Sequence, residues 1–145
     1  MKKGDMIKVF VTTTGHQKGL DGNKEKVLHG AEGQYYFRND KHYIKYDDSS
    51  MDEDNVIRTT LKTDGRDFNI FRRGAVDTEM TFSLGKTTRT AYRTPYSMME
   101  LEINTKKLVI DMGEAAGKVD LCYDMAVNGD FVGEYEFSIK ITKAE

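Results

Sequence analysis

The chain has 145 residues, enough for one domain spanning 1–145 to bury a core without disulfides or a structural metal. Its 22 Lys and Arg against 24 Asp and Glu leave a net charge of −2, which gives no global pull toward nucleic acid or a membrane surface. Cys122 is the only cysteine, so no internal disulfide can form and a reducing, cytoplasmic setting is expected.

The start, Met1-Lys2-Lys3-Gly4-Asp5, is basic but leads into the alternating Ile7-Lys8-Val9, with no apolar signal region. No stretch approaches the ~20 apolar residues of a spanning helix. A first strand is expected near 5–14. Turn residues then recur every ten to fifteen positions, and the segments between them alternate apolar and polar side chains. Asn39-Asp40 reads as a two-residue loop setting Phe37 and Tyr35 opposite His42 and Ile44. Asp64-Gly65 reads the same way, with Leu61 facing Phe68 and Thr59 facing Ile70. At Arg72-Arg73-Gly74 a two-residue loop would bring Asp77 and Glu79 beside Ile70 and Phe68. A three-residue loop matching Ile70 with Val76 is therefore expected, with Gly74 in the left-handed position. Further strands are expected near 87–94, 97–105 and 107–112, and 113–117 is compatible with a single helical turn.

Asn128-Gly129 has the composition of a two-residue type I′ turn, but that pairing would set Met125 and Tyr123 against Val132 and Glu134. Including Asp130 in the loop pairs Met125 with Gly133, Tyr123 with Tyr135 and Leu121 with Phe137. Burying a glutamate costs more than an imperfect turn, so the apolar pattern decides. The outcome is an all-β chain of roughly ten strands, 8–10 in a single closed antiparallel meander, in which closure removes exposed edges.

Phe71-Arg72-Arg73-Gly74-Ala75-Val76, followed by Phe82, Gly85, Tyr92, Thr94-Pro95-Tyr96 and Glu100-Leu101-Glu102 through Thr105, resembles the YwiB-like family, DUF1934. Ser97 departs from the glycine that commonly follows the Thr-Pro-aromatic turn. The resemblance implies a small bacterial β-barrel of calycin-like, lipocalin-type architecture. It implies no catalytic residue, because its motifs are those of turns and strands.

Small barrels either fill their interior with side chains or hold one small ligand. The inward face deduced from alternation carries Tyr35, Tyr46, Tyr92, Tyr123, Tyr135, Thr90 and His29 among its apolar members. Aromatic walls with a few fixed donors suit a small-molecule pocket. The competing account is that the rings fill space while their hydroxyls bond to backbone or reach the barrel mouth. The candidate ligand-binding residues are His29, Tyr46, Thr90, Tyr92 and Tyr123, with Arg72 and Arg73 at the rim to orient an anionic group. The alternative is a structural or protein-interaction module with a filled barrel, using outward Phe10, Tyr36, Tyr43 and Phe71. Monomer and homodimer both remain open.

His16, His29 and His42 lack metal-ligand spacing, and no metal or cofactor is expected. Cys122 is expected to point outward beside Ala126 as an idle thiol. Residues 47–54 carry five carboxylates in eight positions, without the sharp-turn glycine of a calcium loop, and read as a solvated connector. The basic run Arg58, Lys62, Arg66, Arg72, Arg73, Lys86, Arg89, Arg93, Lys106 and Lys107 has few interleaved aromatics, Phe71 the best of them, which disfavours nucleic acid. No hydrolase triad, phosphate-cradling loop or dinucleotide fingerprint appears, so no enzyme activity is expected.

Overall fold

The computed structural model describes residues 6–18, 24–48, 57–74 and 77–144. Among them ten strands run in sequence order: β1 (Ile7–Lys18), β2 (Lys24–Arg38), β3 (Lys41–Asp48), β4 (Ile57–Thr63), β5 (Phe68–Arg73), β6 (Asp77–Phe82), β7 (Thr87–Arg93), β8 (Met98–Gly113), β9 (Ala116–Val127) and β10 (Asp130–Lys143). Each pairs antiparallel with its neighbours, and β1 closes on β10, so the sheet is a closed barrel with both terminal strands paired. The all-β meander expected from the turn rhythm is the architecture observed.

In a meander, successive turns lie at alternate ends. The turns at 39–40, 64–67, 83–86 and 114–115 form one end, here the floor; those at 94–97 and 128–129, with the C-terminal end of β5, form the other, the mouth. Alternation along every strand sends one set of side chains inside. Tyr35, Ile44, Leu61, Phe68, Phe82, Ile103 and Ile139 are all buried in that core.

The floor is plugged. Ala115, at the tip of the β8–β9 hairpin, is fully buried with φ of 56°, and its backbone hydrogen-bonds the Tyr35 hydroxyl. That hydroxyl also lies 2.7 Å from Nδ1 of His42. The expected helical turn at 113–117 is instead a two-residue hairpin turn, Glu114-Ala115. Gly117 explains how it fits, because a Cβ there would stand 2.8 Å from Cα of Met112.

Two registers agree with the sequence reading and two are shifted from it. Phe37 pairs with His42 and Tyr35 with Ile44 across Asn39-Asp40, both at positive φ. At Asp64 the loop takes four residues, so that Leu61 meets Ile70 and Thr63 meets Phe68. Asp64 Oδ1 accepts the N–H groups of Arg66 and Asp67 at 2.9 Å each and holds the wider turn together. Beyond β5, Ile70 meets Met80 and Arg72 meets Thr78, displacing the expected partner of Ile70, Val76, which lies outside the described residues. Both corrections are even-numbered shifts, so every side chain keeps its face.

The conflict at Asn128-Gly129 is resolved by a bulge. Asp130 pairs with Val127, as a two-residue turn requires. The register then shifts between Phe131 and Gly133, and Met125 meets Gly133 and Tyr123 meets Tyr135. The extra residue lets the turn and the apolar face both have their preferred geometry. A second bulge between Thr105 and Lys107 merges the two strands expected at 97–105 and 107–112 into the single β8.

The β6–β7 seam is the thinnest in the barrel. Only Asp77–Arg93 and Thr78–Tyr92 pair in register. Threonine hydroxyls take over below: Thr88 Oγ1 donates to the Thr81 carbonyl at 2.6 Å and Thr78 Oγ1 to the Ala91 carbonyl at 3.1 Å.

Candidate functional site

The barrel interior changes character with height. Its floor half is aliphatic and aromatic packing; its mouth half carries polar groups. β5 makes the transition, because Phe68 and Ile70 are buried and Arg72, next on the same face, is half-buried at the mouth end. In register Arg72 lies between Thr59 of β4 and Thr78 of β6, both buried. Its guanidinium has no carboxylate or hydrogen-bond partner among the described residues. Its charge reaches across to Tyr123 of β9 and favours the phenolate there, yet burial dominates and pushes the Tyr123 hydroxyl up to about 12. Tyr123 therefore remains a phenol, able to donate a hydrogen bond, throughout the physiological range.

Two further hydroxyls complete the arrangement. Thr59 stands beside Arg72 in the β4–β5 ladder, and Thr105 stands beside Tyr123 in the β8–β9 ladder. Each is at most 1% exposed, and neither Oγ1 has a hydrogen-bond partner among the described residues. A buried hydroxyl without a partner costs about 1–3 kcal/mol. One lies beside the unpaired arginine and the other beside Tyr123, and both face the barrel interior.

Tyr123 stacks on Tyr135 with ring centroids 5.4 Å apart and touches Phe82 at 4.9 Å. Beside it opens a cavity of about 210 Å3 lined by Gly15, His16, Gln17, Tyr123, Tyr135, Glu136 and Phe137.

The residues singled out from sequence fall as follows. Tyr46 is buried opposite Thr59, and Tyr92 is half-buried opposite Thr78 and Met99. Thr90 lies at mid-height on β7, opposite Leu101. His29 pairs in register with Thr13 on β1; its side chain lies outside the described residues. The turn after β5 does not hold Arg72 and Arg73 on one side, because strand alternation turns Arg72 inward and Arg73 outward. Arg73 Nη1 donates to the carbonyls of Arg72 and Thr78 at 3.0 and 3.3 Å. Thr59 and Thr105 were missed. Alternation from Leu61 and Ile103 already places both inside, but a threonine in a strand carries no sign that its hydroxyl will lack a partner.

On the outer face, Cys122 points away from the core as alternation requires. Its Sγ lies 3.5 Å from Glu134 Oε1, and burial is the main reason its thiol is raised above the ordinary value. Cys122, Glu134 and Glu136 bring their ligand atoms within 4.8 Å of one another. Lys106, projected outward by the β8 bulge, supplies positive charge here, 2.9 Å from Glu134 and 3.2 Å from Asp124. Of the outward aromatics, Tyr36, Tyr43 and Phe71 lie under cations, while Phe10, Tyr96 and Phe131 are exposed. Tyr36 and Tyr43 stack at 4.8 Å, and Lys45 and Lys62 lie over their rings. Most of the acidic segment 47–54 lies outside the described residues. No helix among the described residues is long and apolar enough to cross a membrane.

Comparison with known proteins gives one consistent result. Residues 11–139 match the family model described as Domain of unknown function (DUF1934). The chain is 29% identical over 112 residues to the uncharacterized beta-barrel protein YwiB of Bacillus subtilis (strain 168), covering 76% of each protein. The crystal structure of ywiB protein from Bacillus subtilis superposes with a TM-score of 0.85 at 23% identity, over 97% of this chain and 94% of that one.

Proposed function

Because the chain belongs to the DUF1934 family, whose description assigns no activity, we propose a function from the geometry of the mouth: the barrel binds a small, partly apolar organic anion there. The observation that carries this reading is Arg72, an inward guanidinium with no acidic partner among the described residues, set beside the unpartnered Thr59 hydroxyl. An arginine fork binds a carboxylate through two parallel, charge-assisted hydrogen bonds. The Tyr123 phenol and the Thr59 and Thr105 hydroxyls supply further hydrogen bonds. Tyr92 and Met125 offer apolar surface to the remainder of the ligand. The packed floor limits depth, so the ligand is short and its acidic end enters the barrel. Nothing in the arrangement pairs a nucleophile with a base, and the reading is one of binding in the cytoplasm, without chemistry.

Thermal-shift screening of small carboxylates, fatty acids and phosphate esters tests this. Stabilisation by an acid, absent for its neutral methyl ester and lost in Arg72→Met, is the expected result. No stabilisation by any acid, or equal stabilisation of the variant, refutes it.

A further inference from the structure

A larger concavity lies outside the barrel, on the opposite side of the sheet from Arg72. It has a volume of about 930 Å3, within the range of small-molecule sites. Two adjacent rows of outward side chains build it. One row crosses five strands in register as Lys8, Gln34, Lys45, Thr60 and Phe71; the next runs Glu32, Asp47, Arg58 and Arg73. At the ladder spacing of about 4.8 Å, the longer row spans roughly 19 Å. Gly33 lets β2 and β3 approach closely here, since a Cβ on it would stand 2.6 Å from the Lys45 carbonyl oxygen.

Charge is unevenly distributed along the groove. At the β1–β2 end, Lys8 and Glu32 pair at 3.6 Å. At the β4–β5 end, Arg58 and Arg73 lie directly opposite each other in register. Like charges so placed repel. Arg58 makes neither an ion pair nor a side-chain hydrogen bond among the described residues, although Asp47 is its register neighbour on β3. Arg73 is anchored through Nη1 to two backbone carbonyls, which fixes its fork while leaving its other donors open. Phe71 lies two residues from Arg73 on the same face, with Lys62 over its ring at 5.9 Å. An oxyanion between the two arginines relieves their repulsion and uses both forks. An attached ring then falls beside Phe71 and Thr60.

We infer that this outer groove is a second binding site, independent of the mouth, for a small phosphate ester carrying a planar apolar group, with the phosphate held between Arg58 and Arg73. Isothermal titration calorimetry at low salt, with inorganic phosphate, phenyl phosphate and phenol as probes, is the test. Phenyl phosphate is expected to bind more tightly than phosphate, and phenol not to bind. Arg58→Gln is expected to weaken phenyl phosphate at least about tenfold, the effect of losing charge-assisted bonds. Phe71→Ala is expected to remove the advantage of phenyl phosphate over phosphate, and in the Arg72→Met background, which disables the mouth, the Arg58-dependent binding is expected to persist. Should Arg58→Gln unfold, Arg58→Lys, which keeps the charge and loses the fork, replaces it with the same expected direction. Absence of binding, affinity indifferent to Arg58 in the Arg72→Met background, or loss of all binding in Arg72→Met overturns the inference. The last outcome would assign the phosphate to the mouth instead.

Discussion

Phe82 packs between the β5 and β9 walls of the barrel, and Phe82→Ala measures how tightly its interior is filled. The ring is fully buried, 6.1 Å from its register partner Phe68 and 4.9 Å from Tyr123. Truncating a buried phenylalanine costs about 3–5 kcal/mol through lost transfer energy and the cavity left behind. Both aromatic pairs, each worth about 0.5–1.5 kcal/mol, are lost together and are contained within that range. A destabilisation of about 4 kcal/mol follows. With an unfolding entropy near 2.1 cal/mol/K per residue, 145 residues give about 0.3 kcal/mol/K, hence a fall in Tm of about 13 °C. Urea unfolding and differential scanning calorimetry read both quantities, and Phe82→Leu is expected to lose less than half as much. A loss below about 1 kcal/mol for Phe82→Ala would show that the ring faces open space, and the division into packed floor and polar mouth would be wrong.

Other consequences are open to measurement. Burial lowers the His42 pKa below its ordinary 6.5, so the unfolded chain takes up its proton first. Stability from neutral His42 is present above pH 6.5 and declines as pH falls through that value. The urea midpoint of the wild type is expected to drop between pH 7 and 5.5, and His42→Gln to flatten that slope; parallel slopes contradict it. Tyr123, pushed up to about 12, keeps its proton when the unfolded chain ionises near 10, so stability falls as pH rises from 10 toward 12. Absorbance titration is expected to show a phenol titrating near 12 that disappears in Tyr123→Phe; an unchanged titration curve counts against the burial. At the β6–β7 seam, Thr88→Val removes the donor to the Thr81 carbonyl and is expected to cost about 1 kcal/mol. Hydrogen exchange is expected to quicken at 79–82 and 87–91 before elsewhere, and uniform protection would show the seam is no weaker than its neighbours.

Much of this barrel is written in its alternation. Tyr35, Ile44, Leu61, Phe68, Phe82 and Ile103 were assignable to the interior because a one-residue slip reverses a whole strand, which leaves apolar pattern little freedom. Loop lengths were less legible. Asp64-Gly65 has hairpin composition, but the side chain of Asp64 stabilises a wider turn by capping two N–H groups. At Asn128-Gly129 two sequence signals disagreed because each described a different part of one bulged hairpin. Bulges are two-residues-against-one events with no residue signature of their own, so the one in β8 also went unseen. For the candidate site, alternation identified the tyrosines of the mouth. The opposite facing of Arg72 and Arg73 followed from β5 continuing to Arg73, which a turn placed at 72–74 concealed. The isolation of the Thr59 and Thr105 hydroxyls depends on neighbours distant in sequence and could be seen only in three dimensions.

Nuclear magnetic resonance of isotopically labelled protein, titrated with the best-stabilising acid from the thermal screen, distinguishes a mouth that binds an anion from one that merely encloses its own side chains. Saturable shifts confined to Thr59, Arg72, Thr105, Tyr123 and Tyr135, with the floor around Tyr35 and Ala115 unmoved, are the outcome this geometry requires. Shifts that avoid Arg72 and Tyr123, or none at saturating acid, would contradict it.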